Sequence, residues 1–151
     1  MKKRPGFTTL ELLIVLAVFG ILASIAAFTI NQSREALRDA DRVSDVTVLR
    51  SALSQYWLRH ASYPTAEGVS LGSPESGIRG FTTEGFVTES GSGNVILEFI
   101  PTGPRRNEYY LYTSDGIGYS LRFTTERATV FGDAGTYYAH SGGVDVDETV
   151  K

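Results

Sequence analysis

Residues 6–30 read GFTTLELLIVLAVFGILASIAAFTI, and this stretch decides how the rest of the chain is organised. From Leu12 to Ile30 no residue is charged, and twelve positions are Leu, Ile, Val or Phe. The run is about the length that crosses ~30 Å of hydrocarbon as a helix. On an insertion scale the twelve supply about −4 to −7 kcal/mol, at roughly −0.3 to −0.6 each. One acid at a helix centre opposes that with about +3 kcal/mol, and with less near an interface. Insertion therefore wins, although Glu11 stands at the entrance. Upstream lie Lys2, Lys3 and Arg4 and then a Pro5-Gly6 break. The positive-inside rule keeps this basic tip in the cytoplasm and sends residues 31–151 outward.

Three readings compete for this segment. A secretory signal peptide has the same basic start, and Ser24-Ile25-Ala26 has the small-x-small form of a cleavage site. An uncleaved single-span anchor would leave Glu11 to snorkel to the interface. The third reading is a resemblance. Gly6-Phe7-Thr8-Thr9-Leu10-Glu11-Leu12-Leu13-Ile14-Val15 resembles the processing and assembly signature of type IV pilins and their secretion-system relatives, the pseudopilins. Thr9 departs mildly from it, standing where many relatives carry an aliphatic residue.

That resemblance implies cleavage by a prepilin peptidase between Gly6 and Phe7 and methylation of the new N-terminus, with Glu11 as the fifth residue after the cut. It also implies a partner for Glu11, the Phe7 amine of an adjacent subunit in a growing filament. Helix geometry equally allows the pair within one chain, since the two are four residues apart. Apolar contact alone gives little preference for any axial register. A buried ion pair penalises every register that leaves a charge unpaired, so Glu11 reads as a registration device. Gly20 is the soft point of the apolar half, either a close-packing residue or the place where the family's helix loses order on assembly. The absence of a nearby proline argues against a sharp kink.

Helical character continues beyond the apolar run, because residues 31–62 contain neither Pro nor Gly. Val43, Val46, Leu49, Leu53 and Tyr56 form a stripe at three- and four-residue spacing that can face a sheet. Arg34, Arg38, Asp41, Asp45 and Arg59 mostly fall on other faces and read as solvated. Glu35 and Asp39 are a like-charge pair set among Arg34, Arg38 and Arg42. A helix from Phe7 to Ser62 would be roughly 84 Å long, too long for one small globule. The step before Pro64 ends it.

Residues 65–94 are rich in Gly, Ser, Thr and Glu and read as a long surface loop with at most a short helical turn, anchored by Phe81 and Phe86. Strand signals follow at 95–101, 108–113, 119–125 and 128–132, with a hairpin turn over Ser114–Gly118 and a further strand within 136–143. Leu111, Leu121 and Phe123 are the expected inward residues. The expected class is α+β: a long N-terminal helix packed on an antiparallel β-sheet head, as in type IV pilins.

Composition narrows the function. The chain has 151 residues, no cysteine and a formal charge of −3, which argues against a general nucleic-acid binder. Residues 64–151 hold twelve acids against six bases. With only His60 and His140, a histidine-rich metal centre is excluded. No G-x-S-x-G elbow surrounds Ser141, and Gly116-Ile117-Gly118 lacks the third glycine of a dinucleotide fingerprint. Catalysis is not expected, nor is a cofactor. The tyrosines at 109, 110, 112, 119, 137 and 138 read as sheet and filament contacts ahead of a base-stacking surface.

Many pilins close the C-terminal region with a disulfide, and the resemblance offers calcium as the major pseudopilins' alternative. Asp115, Asp133, Asp145, Asp147 and Glu148 are the available acids, but no calcium-loop motif joins them. A metal-free head with a solvated acidic tail is the expectation.

The expected organisation is a leader over 1–6, a membrane and filament-core helix over 7–30, its amphipathic continuation over 31–62, a loop over 63–94, and the sheet head with its tail over 95–151. The expected function is that of a structural subunit of a type IV pilus-like filament for adhesion, twitching motility or DNA uptake. The alternatives are a pseudopilin of a type II secretion system and a membrane-anchored surface protein that does not polymerise. The implied partners are further copies in a helical filament, the prepilin peptidase, the inner-membrane assembly machinery with its ATPase, and membrane lipid before assembly. The implied location is single-pass in the membrane first and in an extracellular filament afterwards.

Overall fold

Among the described residues a single helix, α1, Thr9–His60, is followed by eight short strands. The computed structural model describes residues 8–88 and 93–151. The chain divides after Glu35 into two compact units. In the first, Leu10 to Ile30 is solvent-exposed throughout, and the helix is long and apolar enough to cross a membrane. Three of its hydroxyl side chains bond their own helix. Ser24 Oγ donates to Gly20 O, Thr29 Oγ1 to Ile25 O and Ala26 O, and Ser33 Oγ to Thr29 O. Hydroxyls satisfied in this way can enter hydrocarbon without leaving a donor unpaired.

The second unit, residues 36–151, is the head. Its main sheet is antiparallel with strand order β1-β5-β6-β7-β8. These strands are β1 Ala66–Leu71, β5 Tyr110–Ser114, β6 Tyr119–Thr124, β7 Thr136–Ala139 and β8 Val144–Asp145. A smaller antiparallel sheet has the order β3-β2-β4, with β2 Gly80–Thr82, β3 Gly85–Val87 and β4 Val95–Leu97. Helix packed on antiparallel sheets makes the fold α+β and pilin-like. Val46, Leu49 and Leu53, each 2% exposed, are the buried centre of the helical stripe. They share one core with Tyr110, Tyr112, Leu121, Phe123 and Ala139. An aromatic run joins the two sheets: Tyr56 stacks on Phe81, Phe81 meets Phe86, and Phe86 meets Tyr112 edge-on at 5.2 Å.

Several sequence expectations change here. The helix stops at His60 and not at Ser62, because Ala61 adopts a left-handed φ of 51° and its N–H closes on Trp57 O at 2.7 Å. The stop is a helix-end cap, made before Pro64 can act. The 65–94 loop holds β1, β2 and β3. β1 enters the main sheet through a bulge around Gly68, which lets a glycine-rich segment pair with β5. Phe81 and Phe86 still anchor the segment. The expected strand at 128–132 is a tight turn, in which Thr129 and Gly132 exchange backbone bonds of 2.8 and 3.2 Å. Leu111 does not point inward. It registers with exposed Arg122 on the outer face, while Tyr112 registers with Leu121 on the inner one. Tyrosine takes the inner positions because each hydroxyl finds an acceptor, Asp45 Oδ2 for Tyr110 and Pro64 O for Tyr112.

Candidate functional site

Glu11 lies in the first turn of α1. Thr8 is the cap. Glu11 N–H donates to Thr8 Oγ1 at 3.2 Å, and Glu11 Oε2 accepts from Thr8 N–H at 2.9 Å and from Thr8 Oγ1 at 3.0 Å. This reciprocal arrangement is the capping box, with the acid three residues after the threonine. The pattern Thr8-x-x-Glu11 was readable in the sequence and was missed there. Gly6 and Phe7, the expected processing and pairing residues, lie outside the described residues. Gly20 sits in unbroken helix, and a Cβ built on it meets nothing within 4 Å.

A second constellation was also missed. On the head's part of α1, Asp39 and Arg42 continue the buried face of Val46, Leu49 and Leu53 at spacings of three and four. They are 3% and 1% exposed. Arg42 Nη1 donates to Asp39 Oδ1 at 2.7 Å and to Glu126 Oε1 at 2.7 Å. Its Nε and Nη2 engage Glu108 at 2.6 and 3.0 Å. Asp39 accepts the consecutive N–H groups of Glu126 and Arg127 at 2.8–3.0 Å. Arg38 and Arg105 complete the shell on Glu126. The site is an ionic clasp between helix and sheet. Burial opposes the Arg42 charge, but the bonds to Glu108, Glu126 and Asp39 outweigh it and hold the guanidinium protonated. Arg38 above all, with Arg42 and Arg105 adding to it, holds the Glu126 carboxyl down at about 2 against the opposing effect of burial. The solvated reading is thus corrected for Arg38 and for Asp45, which bonds Tyr110, while Asp39, read only as a like-charge partner of Glu35, is buried against Arg42. Asp39 thus holds the helix to the turn after β6 through two consecutive N–H groups.

The C-terminal residues are tied down and not loose. Tyr119 N–H donates to Lys151 O at 3.1 Å. The buried His140 ring bonds Tyr119 O and Asp147 O, both at 2.9 Å. Lys151 Nζ sits between Asp145 and Asp147 at 2.9 and 2.8 Å, and hydrogen bonding to it lowers both carboxyls. Asp115 accepts from the Ile117 and Gly118 N–H groups. Among the described residues no three His, Cys, Asp or Glu side chains are gathered to hold a metal ion. Of the five acids that calcium could use, Asp145 and Asp147 are partnered by Lys151 and Asp115 by turn amides.

The sequence is similar to those of known proteins. The family model described as the prokaryotic N-terminal methylation motif matches residues 1–27. The type II secretion system core protein G of Klebsiella pneumoniae is 33% identical over 92 residues, 58% of this chain and 66% of that protein. The chain belongs to the type IV pilin and pseudopilin family. Core protein G of Vibrio cholerae is 36% identical over 67 residues, 44% of this chain and 46% of its own length. The type IV major pilin protein PilE1 of Neisseria gonorrhoeae is 34% identical over 79 residues, 51% of this chain and 36% of the pilin. The matches thus span from about a third to two thirds of these three pilin-family relatives. No solved structure matches the chain. Like other pilin-family subunits it is structural and not an enzyme.

Proposed function

We propose that the chain is a filament subunit, inserted as a prepilin, cleaved after Gly6 and polymerised through α1. The observation that carries this reading is the Gly6-Phe7 junction with Glu11 correctly spaced at the head of an exposed apolar helix. Before assembly the apolar run sits in lipid, and the Glu11 carboxylate is satisfied by Thr8. On assembly it exchanges the capping box for the methylated Phe7 amine of a neighbour. A carboxylate with a partner in both states never crosses the membrane bare.

The stretch shared with core protein G of Klebsiella pneumoniae favours the pseudopilus of a type II secretion system as the filament. The similarity to PilE1 supports a surface pilus as the second reading. The assembly ATPase, the prepilin peptidase and lipid are the partners in either case.

Intact mass and N-terminal peptide analysis of the protein from producing cells tests the processing step. A methylated Phe7 start is expected, and a start at Met1 or Ala27 would overturn it. Deleting the gene then separates the two filaments. Loss of protein export identifies a pseudopilus, and loss of sheared surface fibres identifies a pilus.

A further inference from the structure

Ile117 and Val130 are the most exposed large apolar side chains among the described residues, each 87% exposed. Both stand at the tips of tight turns, positions where Gly, Asn, Asp and Ser are the usual choices. Ile117 lies in the turn between β5 and β6, pinned by Ser114 Oγ on Gly118 O and by Asp115 Oδ1 on the Ile117 and Gly118 amides. Val130 and Phe131 are the two tip residues between Thr129 and Gly132. Phe131 turns inward against Phe123 and Tyr137, which leaves Val130 outside.

The two tips lie at opposite ends of the head. Val130 rims a groove of about 350 Å³ whose helix wall is Ala36, Asp39, Ala40 and Val43. The turn of Ile117 sits just past the other end of α1, where Tyr63 N–H donates to Gly116 O at 2.9 Å. At 1.5 Å per residue, Ala40 and His60 are about 30 Å apart along the helix. An apolar knob at one end and an apolar groove at the other cannot meet within one copy. A contact of this kind between copies is heterologous, and it builds an open filament when its rotation does not close into a ring. Charge agrees with this pairing. Arg127 lines the groove, and the acid beside it, Asp39, is already engaged by Arg42 and by two backbone amides. Asp115, two residues before Ile117, is kept ionised by the amides of Gly118 and Ile117.

We propose that Ile117 of one copy seats in the groove formed by Ala36, Ala40, Val43 and Val130 of the next copy. This gives the filament a head-to-tail contact in addition to the packing of its apolar helices. The proposal rests on the filament reading above.

The chain contains no cysteine, so an introduced pair reports this contact without background. Full-length protein carrying Ile117→Cys and Ala40→Cys is assembled in cells and oxidised, and sheared filaments are run without reductant. A disulfide needs Cα atoms within about 7 Å, so only true neighbours couple. A ladder above the dimer, lost on reduction and absent from either single variant, is expected. Ile117→Cys with Val48→Cys, an exposed helix position that does not line the groove, should give none.

Filaments without a ladder, or an equal ladder through Val48, would overturn the contact. So would a ladder from Leu22→Cys with Ala40→Cys in place of the expected pair, because the groove would then hold a neighbour's apolar segment. As a second measurement, Ile117→Asn should leave the melting temperature of the free subunit unchanged and shorten the filaments. Unchanged filament length counts against the proposal. If the cysteine-free parent builds no filament at all, the filament reading itself falls, a separate result from filaments that form but do not couple.

Discussion

Arg42→Met tests the ionic clasp most directly. Methionine keeps an unbranched stem and removes every donor of the guanidinium. Glu126 keeps Arg38 and Arg105, and Asp39 keeps two backbone amides. Glu108 loses both bonds to Arg42 and retains the Arg105 amide at 3.1 Å. Three carboxylates then crowd one largely buried site. Removing one partner of a buried ion pair costs about 3–5 kcal/mol, and the surviving arginines place this case near the lower figure. At about 4 °C per kcal/mol for a domain of this size, the melting temperature near pH 7 should fall by roughly 12 °C.

The pH dependence carries a sign. The Glu126 carboxyl is held at about 2 in the folded state, below its ordinary 4.5. Such a group contributes stability above its unfolded pKa, and the contribution fades as pH falls toward the folded value. The parent should therefore lose stability between about pH 4.5 and 2, while protonation relieves the crowded carboxylates of the variant earlier. The gap between the two narrows on acidification. Near-ultraviolet circular dichroism of the full chain in detergent, followed against temperature at neutral and acid pH, measures it. A loss below about 3 °C at neutral pH would refute the reasoning, because it falls under 1 kcal/mol by the same conversion. So would a gap of equal size in acid.

Three further outcomes are expected. Thr8→Val removes the hydroxyl half of the capping box and should cost the helix start about 1 kcal/mol. Faster amide exchange confined to the first turn reports it, and unchanged exchange there would remove the capping role. Glu11→Ala should insert and be cleaved normally yet fail to assemble. An immunoblot for the mature length beside a count of sheared filaments decides, and normal filaments would remove the registration role. Calcium followed by chelator should leave the parent's melting temperature unmoved, because the Lys151 ammonium already sits between Asp145 and Asp147. A calcium-dependent rise that vanishes in Asp145→Ala/Asp147→Ala would instead make this acidic pair a cation site.

What could be read from the sequence alone was whatever is written locally. The apolar run, the basic tip and the spacing of Gly6, Phe7 and Glu11 need no partner to be recognised, because insertion and processing act on contiguous residues. The helical stripe from Val46 to Leu53 and the turn at Ser114–Gly118 were legible for the same reason. The capping box of Thr8 and Glu11 was equally local and was passed over in favour of the filament role of the acid.

Tertiary structure alone decided where the charged and turn-rich segments go. Asp39 meets Glu126 across 87 residues, and Arg42 meets Glu108 across 66. No helix periodicity distinguishes such acids and bases from solvated ones until the sheet brings in their partners. Leu111 faces outward because its register is set by pairing with Arg122, so that the neighbouring Tyr110 and Tyr112 are turned into the core. Tyr119 N–H on Lys151 O and the His140 ring between Tyr119 O and Asp147 O hold the tail, and these groups come within reach only once β6 and β7 have paired. Local composition specified the membrane segment and the helix, since their energies are sums over neighbouring residues. The clasp, the inward tyrosines and the tied tail depend on pairs distant in sequence, whose desolvation is favourable only when both partners arrive together.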